Sequence, residues 1–340
     1  MARQFIRRWF GIVFLALLLC LPLLTNSYTQ YILNLVLVYV VISIGLNFLL
    51  GYAGQFGFAH AALMGIGAYT TALLVTRLGM SFWLALPAAG LLTTLIGSVG
   101  AIPALRMNRT YLGLVTIAFA ELVTWVLVHW KSVTLGTDGI SLKAPEFFGY
   151  SLKGDQPVYY LLLPLTVCLY LVARWIVASR IGRSLVAIRE NEIVAQCNGI
   201  NLARTKGLAF ALSAFYAGIG GGMYALTLGF IVPDSFMMFQ LIIHYSLIVI
   251  GGLSSIFGSV LGAIVLTALP EMLRDFQALQ EIIYGLLLMV FVVFMPDGLT
   301  GLAKRFGILP EEILVRNVSR LKSRSEGKAS SASVAARTPI

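Results

Sequence analysis

The stretch RIGRSLVAIRENEIVAQCNGINLARTK, residues 180–206, is a polar segment between two long apolar runs, 158–179 and 208–230. It carries five basic residues against only two acidic ones, Glu190 and Glu192. Because apolar runs of this length are typical of transmembrane helices, the polar segment must lie outside the bilayer. Spans on both sides hold it at the membrane surface, where a soluble partner can reach it.

The rest of the chain is as apolar as these flanks. Of 340 residues, 59% are apolar and 11% are charged, whereas soluble domains average about 25% charged residues. This composition predicts an all-α, polytopic membrane protein of about ten transmembrane helices, some of them short or broken. The predicted spans are 9–25, 31–50, 57–77, 82–105, 111–130, 158–179, 208–230, 239–252, 256–270 and 281–296. We interpret 9–25 as a retained span, because no small-residue cleavage site follows it.

The formal net charge of +10 has a topological meaning. Basic residues cluster before the first span and after the last, and such clusters mark cytoplasmic ends and not nucleic-acid patches. An even number of spans puts both termini in the cytoplasm together with residues 180–206, and puts 131–157 outside. We therefore predict one transmembrane domain, 1–300, with a cytoplasmic loop at 180–207. Residues 301–340 form a basic cytoplasmic tail that we predict to be disordered.

The polar loop has its own local signals. Ser184 is a suitable N-cap for a helix running to about Gln196, and the Asn-Gly pair ending at Gly199 is a suitable stop. Arg189 and Glu192 lie three residues apart and can pair on one helix face. One alternative is an ordinary connection whose basic residues only set orientation. Partner docking is favoured, because orientation requires neither a capped helix nor acidic residues. The predicted docking residues are Arg183, Arg189, Glu190, Glu192 and Gly199.

Two glycine clusters interrupt the apolar pattern. Short, glycine-interrupted hydrophobic segments in two halves of a chain are typical of transporters with broken helices. The alternative is that the glycines only allow helices to pack closely. The predicted helix-break glycines are Gly51, Gly54 and Gly57 in the first cluster and Gly251, Gly252 and Gly258 in the second.

A few polar side chains fall within or beside the spans. Glu121 is an ionisable group deep in a span, which either faces a translocation pathway or is a buried, hydrogen-bonded structural carboxyl. Asn47, Gln55 and His60 lie near the first break, where they either line the pathway or satisfy freed backbone groups. His60 and His244 are isolated histidines, and no spacing typical of a metal site is present.

The chain has no Gly-x-x-x-x-Gly-Lys-Ser/Thr motif and no recognisable nucleophile arrangement. Its three cysteines are scattered and form no metal-binding or disulfide pattern. We therefore predict that this chain is not an enzyme, binds no cofactor and does not hydrolyse ATP itself.

Six motifs in order resemble the branched-chain amino acid permeases of ABC importers, the LivM type, over about residues 30–300. Two of them are Gly182-Arg-Ser … Ala187-Ile-Arg-Glu-Asn-Glu192 … Gly199-Ile-Asn201 and Gly51-Tyr-Ala-Gly-Gln … His60-Ala-Ala … Gly65-Ile-Gly-Ala-Tyr69. The others are Ile117-Ala-Phe-x-Glu121, Gly136-Thr-Asp-Gly-Ile140, Gly251-Gly-Leu … Gly258 … Gly262-Ala and Ile283-Tyr-Gly … Pro296-Asp-Gly-Leu299. Phe56-Gly-Phe58 departs from the Ser-Leu-Gly type sequence that the family usually has at this place.

The resemblance implies an importer assembly in the bacterial inner membrane. Its expected members are a homologous second permease, two cytoplasmic ATPase subunits that use ATP, and a periplasmic binding protein. The expected cargo is leucine, isoleucine, valine or related apolar amino acids. A permease for urea or small amides is the nearest alternative. An ion-coupled secondary amino acid transporter is another, with Glu121 as its one central acid, and a membrane scaffold is disfavoured by the helix breaks.

Overall fold

The computed structural model describes residues 18–23, 25–102, 109–142, 146–147, 150–151, 154–272, 282, 285–286, 289 and 298–305. These residues contain twelve α-helices and four two-residue strands, besides short 3₁₀ and π turns. The helices are α1 Ser27–Leu46, α2 His60–Thr76, α3 Phe82–Ala101, α4 Arg109–His129, α5 Lys131–Thr134, α6 Asp155–Ala178, α7 Arg180–Glu190, α8 Glu192–Cys197, α9 Leu202–Leu228, α10 Met238–Gly251, α11 Ile256–Met272 and α12 Gly298–Arg305. The strands are β1 Ile140–Ser141, β2 Glu146–Phe147, β3 Tyr150–Ser151 and β4 Phe230–Ile231.

The long helices confirm the all-α, polytopic prediction. Within the described residues, six segments are long and apolar enough to cross a membrane, and α2 and α11 are shorter apolar helices. These eight correspond to the predicted spans from 31–50 to 256–270. The predicted spans 9–25 and 281–296 lie largely outside the described residues. A single π-helical turn, Asn47–Tyr52, extends α1.

Helix α9 is the centre of the bundle and packs against α1, α2 and α3. Small residues let the backbones approach closely, which is how helices gain contact where lipid removes the hydrophobic driving force. A Cβ atom on Gly67 of α2 would collide with the backbone of Gly218 in α9. The apolar core lies between these four helices and includes the fully buried Phe48, Met64 and Tyr216.

The loop at 131–157 has local structure that the sequence did not predict. Strand β1 pairs antiparallel with β4, placing Ile140 opposite Ile231, and β2 pairs antiparallel with β3. The first pairing ties the segment after α4 to the segment after α9. These short ladders satisfy backbone groups that would otherwise need water.

Helix α12, Gly298–Arg305, crosses the predicted boundary between residues 300 and 301, and the predicted division into a membrane domain and a tail stays a prediction. Residues 301–305 continue the helix, with Thr300 buried. The remainder of the predicted tail, 306–340, lies outside the described residues.

Candidate functional site

The polar loop folds as two short helices, α7 and α8, which meet at Asn191. The backbone of Asn191 is extended, with φ −160°, and its Oδ1 accepts the N–H of Ile193 at 2.9 Å. The predicted single helix from Ser184 to Gln196 is wrong, because an asparagine in this conformation caps a new helix and cannot continue the old one. The N-cap of α7 is Ser179, whose Oγ accepts a backbone N–H at 3.1 Å.

The predicted stop of the loop helix is confirmed. Helix α8 ends at Cys197, and Gly199 follows with φ +78°. Glycine takes this left-handed conformation without the steric cost of a Cβ atom. Asn201 then caps α9, with its Oδ1 accepting the N–H of Arg204 at 3.0 Å. The loop is thus rigidly delimited at both ends.

One surface of the loop carries apolar side chains that sequence reasoning missed. Ile193 is 74% exposed and Val194 is 56% exposed. In the same loop, Glu190 and Arg183 are also exposed, and Arg183 donates to the carbonyl of Ala178 at 3.3 Å. The two apolar residues lie two and three positions after the capping Asn191, so recognising that cap would have identified them.

Asn47 joins the two predicted breaks. Its Nδ2 donates to the carbonyl of Ser255 at 2.9 Å and to Ser259 Oγ at 3.0 Å, and its Oδ1 accepts the N–H of Ser254 at 2.9 Å. The second break is the segment between α10 and α11, where Gly252 and Ser254 both have positive φ. Asn47 therefore satisfies backbone groups that the break leaves free, which is one of the two roles predicted for it.

Arg189 links the loop to both breaks. Its guanidinium donates to the carbonyl of Gly51 at 2.6 Å and also to Ser254 Oγ. Ser254 Oγ in turn donates to the same Gly51 carbonyl at 2.5 Å. The backbone at Gly54, with φ +64°, runs so close to Arg189 that a Cβ there would meet Arg189 Cγ at 2.9 Å. We name Asn47, Gly51, Arg189 and Ser254 the junction.

A second connection runs beside the junction. Lys206, at the start of α9 and only 5% exposed, forms an ion pair with Glu192 Oε2 at 2.8 Å. Gln55 Nε2 donates to Glu192 Oε1 at 3.4 Å. Glu192 thereby connects the first break to α9 through charge and hydrogen bonding. The predicted pairing of Glu192 with Arg189 stays a prediction.

The remaining glycines divide between the two roles. Gly57 lies in the non-helical segment after the π turn, and Gly251 is the last residue of α10. Gly258 is not at a break: it lies inside α11, where its missing side chain allows close contact with the backbone of Gly251. For Gly258, the packing alternative describes the structure.

The two intramembrane histidines lie side by side in the core. His60 Nε2 is 3.1 Å from the carbonyl of Ile42 and Nδ1 is 3.0 Å from Ser213 Oγ. The His244 ring packs edge-on against it, with 5.5 Å between centroids, and Gln240 Nε2 lies 3.3 Å from His244 Nε2. His60 is thus a satisfied core histidine in this conformation, and its pathway role stays a prediction.

Glu121 is not part of the junction and lies on the outer face of α4. It is exposed, beside Trp125 and His129. The predicted buried structural carboxyl is therefore wrong within this chain, because α4 packs on the bundle through its opposite face. The predicted pathway role of Glu121 stays a prediction.

Comparison with known proteins places this geometry in a family. Residues 28–293 match the family described as branched-chain amino acid transport system / permease component. The chain belongs to this family. It is 31% identical over 322 residues to the high-affinity branched-chain amino acid transport system permease protein LivM of Escherichia coli (strain K12), covering 88% of this chain and 76% of the relative.

Other permeases are also similar. The LivH permease protein of Salmonella typhimurium is 27% identical over 286 residues, covering 77% of this chain and 91% of the relative. The ribose import permease protein RbsC of Haemophilus influenzae is 25% identical over 274 residues, covering 78% and 83%. No solved structure shows a significant match. The region that matches the family begins in α1 and extends past α11. It therefore includes the loop, the junction and Glu121 of this permease.

Proposed function

We propose that this chain is the transport subunit of an ATP-driven importer in the bacterial inner membrane, and that it moves leucine, isoleucine, valine or related apolar amino acids inward. Family membership and the printed function of the LivM and LivH relatives support this proposal. The chain has no nucleotide-binding motif of its own, so ATP is used by partner subunits. A periplasmic binding protein delivers the cargo and performs the initial selection.

The loop formed by α7 and α8 is the proposed docking site for the cytoplasmic ATPase subunits. It presents two exposed apolar side chains, Ile193 and Val194, and the exposed charges of Glu190 and Arg183. Apolar anchors surrounded by polar residues are typical of protein–protein contact surfaces. Two capped helices keep this surface in a defined shape, so a push on it moves the loop as a unit.

The observation that carries the proposal is the contact of Arg189 with both breaks. Its guanidinium binds the Gly51 carbonyl between α1 and α2 and Ser254 between α10 and α11. A displacement of the loop therefore reaches two helix pairs through one side chain. Lys206 and Glu192 couple the same displacement to α9, the central helix. Alternating access follows if these helices rock when the ATPase pair closes.

The docking part of the proposal is tested by Ile193→Asp. A charge on this surface is expected to abolish co-purification of the ATPase subunits without disturbing the fold, because the side chain is exposed. Leu78→Asp is the matched control: Leu78 is 68% exposed and lies after α2, away from the loop. Retention of the ATPase subunits by Ile193→Asp would contradict the docking site.

The transport part is tested in membrane vesicles that hold the complete assembly. Leucine uptake is expected to require ATP and the binding protein, and to persist when proton and sodium gradients are collapsed. Uptake driven by a gradient without ATP would instead support an ion-coupled transporter. Competition by urea, acetamide or ribose, without competition by isoleucine or valine, would overturn the cargo assignment.

A further inference from the structure

Helix α4 exposes one continuous stripe along its length. The exposed residues recur at helical spacing, whereas Leu112, Thr116, Val123 and Leu127 on the opposite side are buried. Six described segments are long enough to span a membrane, and α4 is the least buried of them: 28% of its apolar stretch is buried, against 72% for α9. The exposed residues, which we name the α4 stripe, are Tyr111, Leu114, Ala118, Glu121, Leu122, Trp125 and His129.

Glu121 sits near the middle of this stripe. It lies 12 residues after Arg109 and 8 before His129 (121 − 109 and 129 − 121), which is about 18 Å and about 12 Å along a helix. These distances put its carboxyl within the hydrocarbon core, where an ionisable side chain facing lipid costs about 2.5 kcal/mol or more. Within the described residues, neither a hydrogen bond nor an ion pair to this carboxyl is present.

Helix α3 shows what a lipid-facing stripe looks like in the same chain. Its exposed side chains, which include Leu84, Leu91, Leu95 and Val99, are all apolar. The α4 stripe differs by a carboxyl at its centre. This carboxyl lines a wide, open depression of about 420 Å³ together with Leu122, Thr124, Trp125, Val128 and His129. Acyl chains are a poor partner for that carboxyl, which favours another protein surface as its cover.

We propose that the α4 stripe is the contact surface for the second, homologous permease subunit, and that this subunit supplies a hydrogen-bond donor or a cation to Glu121. The inference rests on the proposed importer, for which the family resemblance implies a homologous second permease in the same assembly. The occupant is chosen because the same named transport system of Escherichia coli has two permease proteins, LivM and LivH, and both are similar to this chain. A homologous permease has membrane-spanning helices of similar length, so its surface can cover the α4 stripe across the bilayer.

Photo-crosslinking tests the surface directly. A benzoylphenylalanine is placed at Trp125, one turn from Glu121, in a chain co-expressed with a tagged second permease of its own operon. Irradiated membranes are expected to contain an adduct of this chain with the tagged permease. Leu91 of α3, which is 65% exposed, is the matched control and is expected to yield none. An adduct absent at Trp125, equally strong at Leu91, or formed with a second copy of this chain would overturn the proposal.

Glu121→Leu provides an independent test, in which recovery of the second permease with this chain is measured. The expected change differs between a carboxyl at a protein interface and a carboxyl that faces lipid. If the carboxyl meets the second permease, the variant is expected to reduce recovery of that permease by about 3- to 10-fold, the range that polar contacts between membrane helices support. If the carboxyl faced lipid, the leucine would leave recovery unchanged or increase it. Neither measurement uses cargo, ATP or the ATPase subunits. If the crosslink and the change in recovery are both absent while leucine uptake is normal, only the proposed interface is overturned. If the crosslink forms but the assembly does not take up leucine, only the proposed function is overturned.

Discussion

Asn47 and Glu121 are both polar side chains within apolar helices, but they differ in burial and in hydrogen bonding. Asn47 is fully buried and uses both ends of its carboxamide on the backbone and a hydroxyl of the second break. Glu121 lies on the outside of the least buried span, without a partner among the described residues. The junction is therefore complete within one chain, whereas the α4 stripe is completed by a neighbour. Substitutions at the first should damage the isolated chain, and substitutions at the second should damage only the assembly.

The largest effect on the isolated chain is expected from Asn47→Leu. It leaves the Ser254 N–H without its partner and removes one hydrogen bond each to the Ser255 carbonyl and Ser259 Oγ, which together costs about 2 to 4 kcal/mol. Thermal unfolding in detergent measures this loss. Asn34→Leu is the control, because Asn34 is equally buried in α1 but makes, among the described residues, a single side-chain hydrogen bond, to the carbonyl of Asp155 at 3.0 Å. Equal destabilisation by both variants would break the comparison.

Arg189→Met is expected to have the next largest effect, on coupling more than on folding. It removes charge-assisted hydrogen bonds worth about 1.5 to 3 kcal/mol, so ATP-dependent uptake should fall on the order of 10- to 100-fold. ATPase activity of the assembly should persist, since the docking surface is unchanged. Arg77→Met is the control, because the Arg77 guanidinium also donates to a backbone carbonyl, that of Ser132 at 2.9 Å, but Arg77 lies after α2 and outside the loop. Normal uptake by Arg189→Met would show that the junction does not transmit movement.

Gly54→Ala should destabilise the protein less than the two variants above. Gly79→Ala is the control that separates the cost of the left-handed backbone from the contact with Arg189. Both glycines have positive φ, +64° and +61°, so both variants bear the same left-handed backbone cost of about 1 kcal/mol. The Gly54 variant also presses on Arg189, whereas a Cβ at Gly79 meets nothing within 4 Å. We expect an additional loss of about 1 kcal/mol at Gly54, together with reduced uptake. Identical unfolding temperatures would mean that Arg189 shifts freely.

The smallest effect is expected from Glu121→Leu in the isolated chain. An exposed side chain without internal partners contributes little, so the free energy of unfolding in detergent should change by less than about 0.5 kcal/mol. A loss approaching that of Asn47→Leu would show that Glu121 has a partner within its own chain, and the contrast between the two regions would fail.

The spans were predictable because the bilayer allows few solutions. An apolar run must form a helix that satisfies its own backbone groups, so run length and glycine position locate most helices. Capping residues were predictable in type but not always in position. The predicted stop at Gly199 is correct, whereas the observed N-caps are Ser179 and Asn191 and not Ser184. Several residues there can cap, and only tertiary packing selects among them.

The sequence by itself determined a polytopic helical protein with a polar loop outside the bilayer, two glycine-rich interruptions and an intramembrane acid. Only the tertiary structure decided that these features divide into a closed junction and an open stripe. Asn47 meets Ser255 across 208 residues of chain, and Arg189 meets Gly51 across 138. No local pattern encodes such contacts. They form because the helices that carry them pack side by side, and a buried polar group is stable only where that packing supplies its partner.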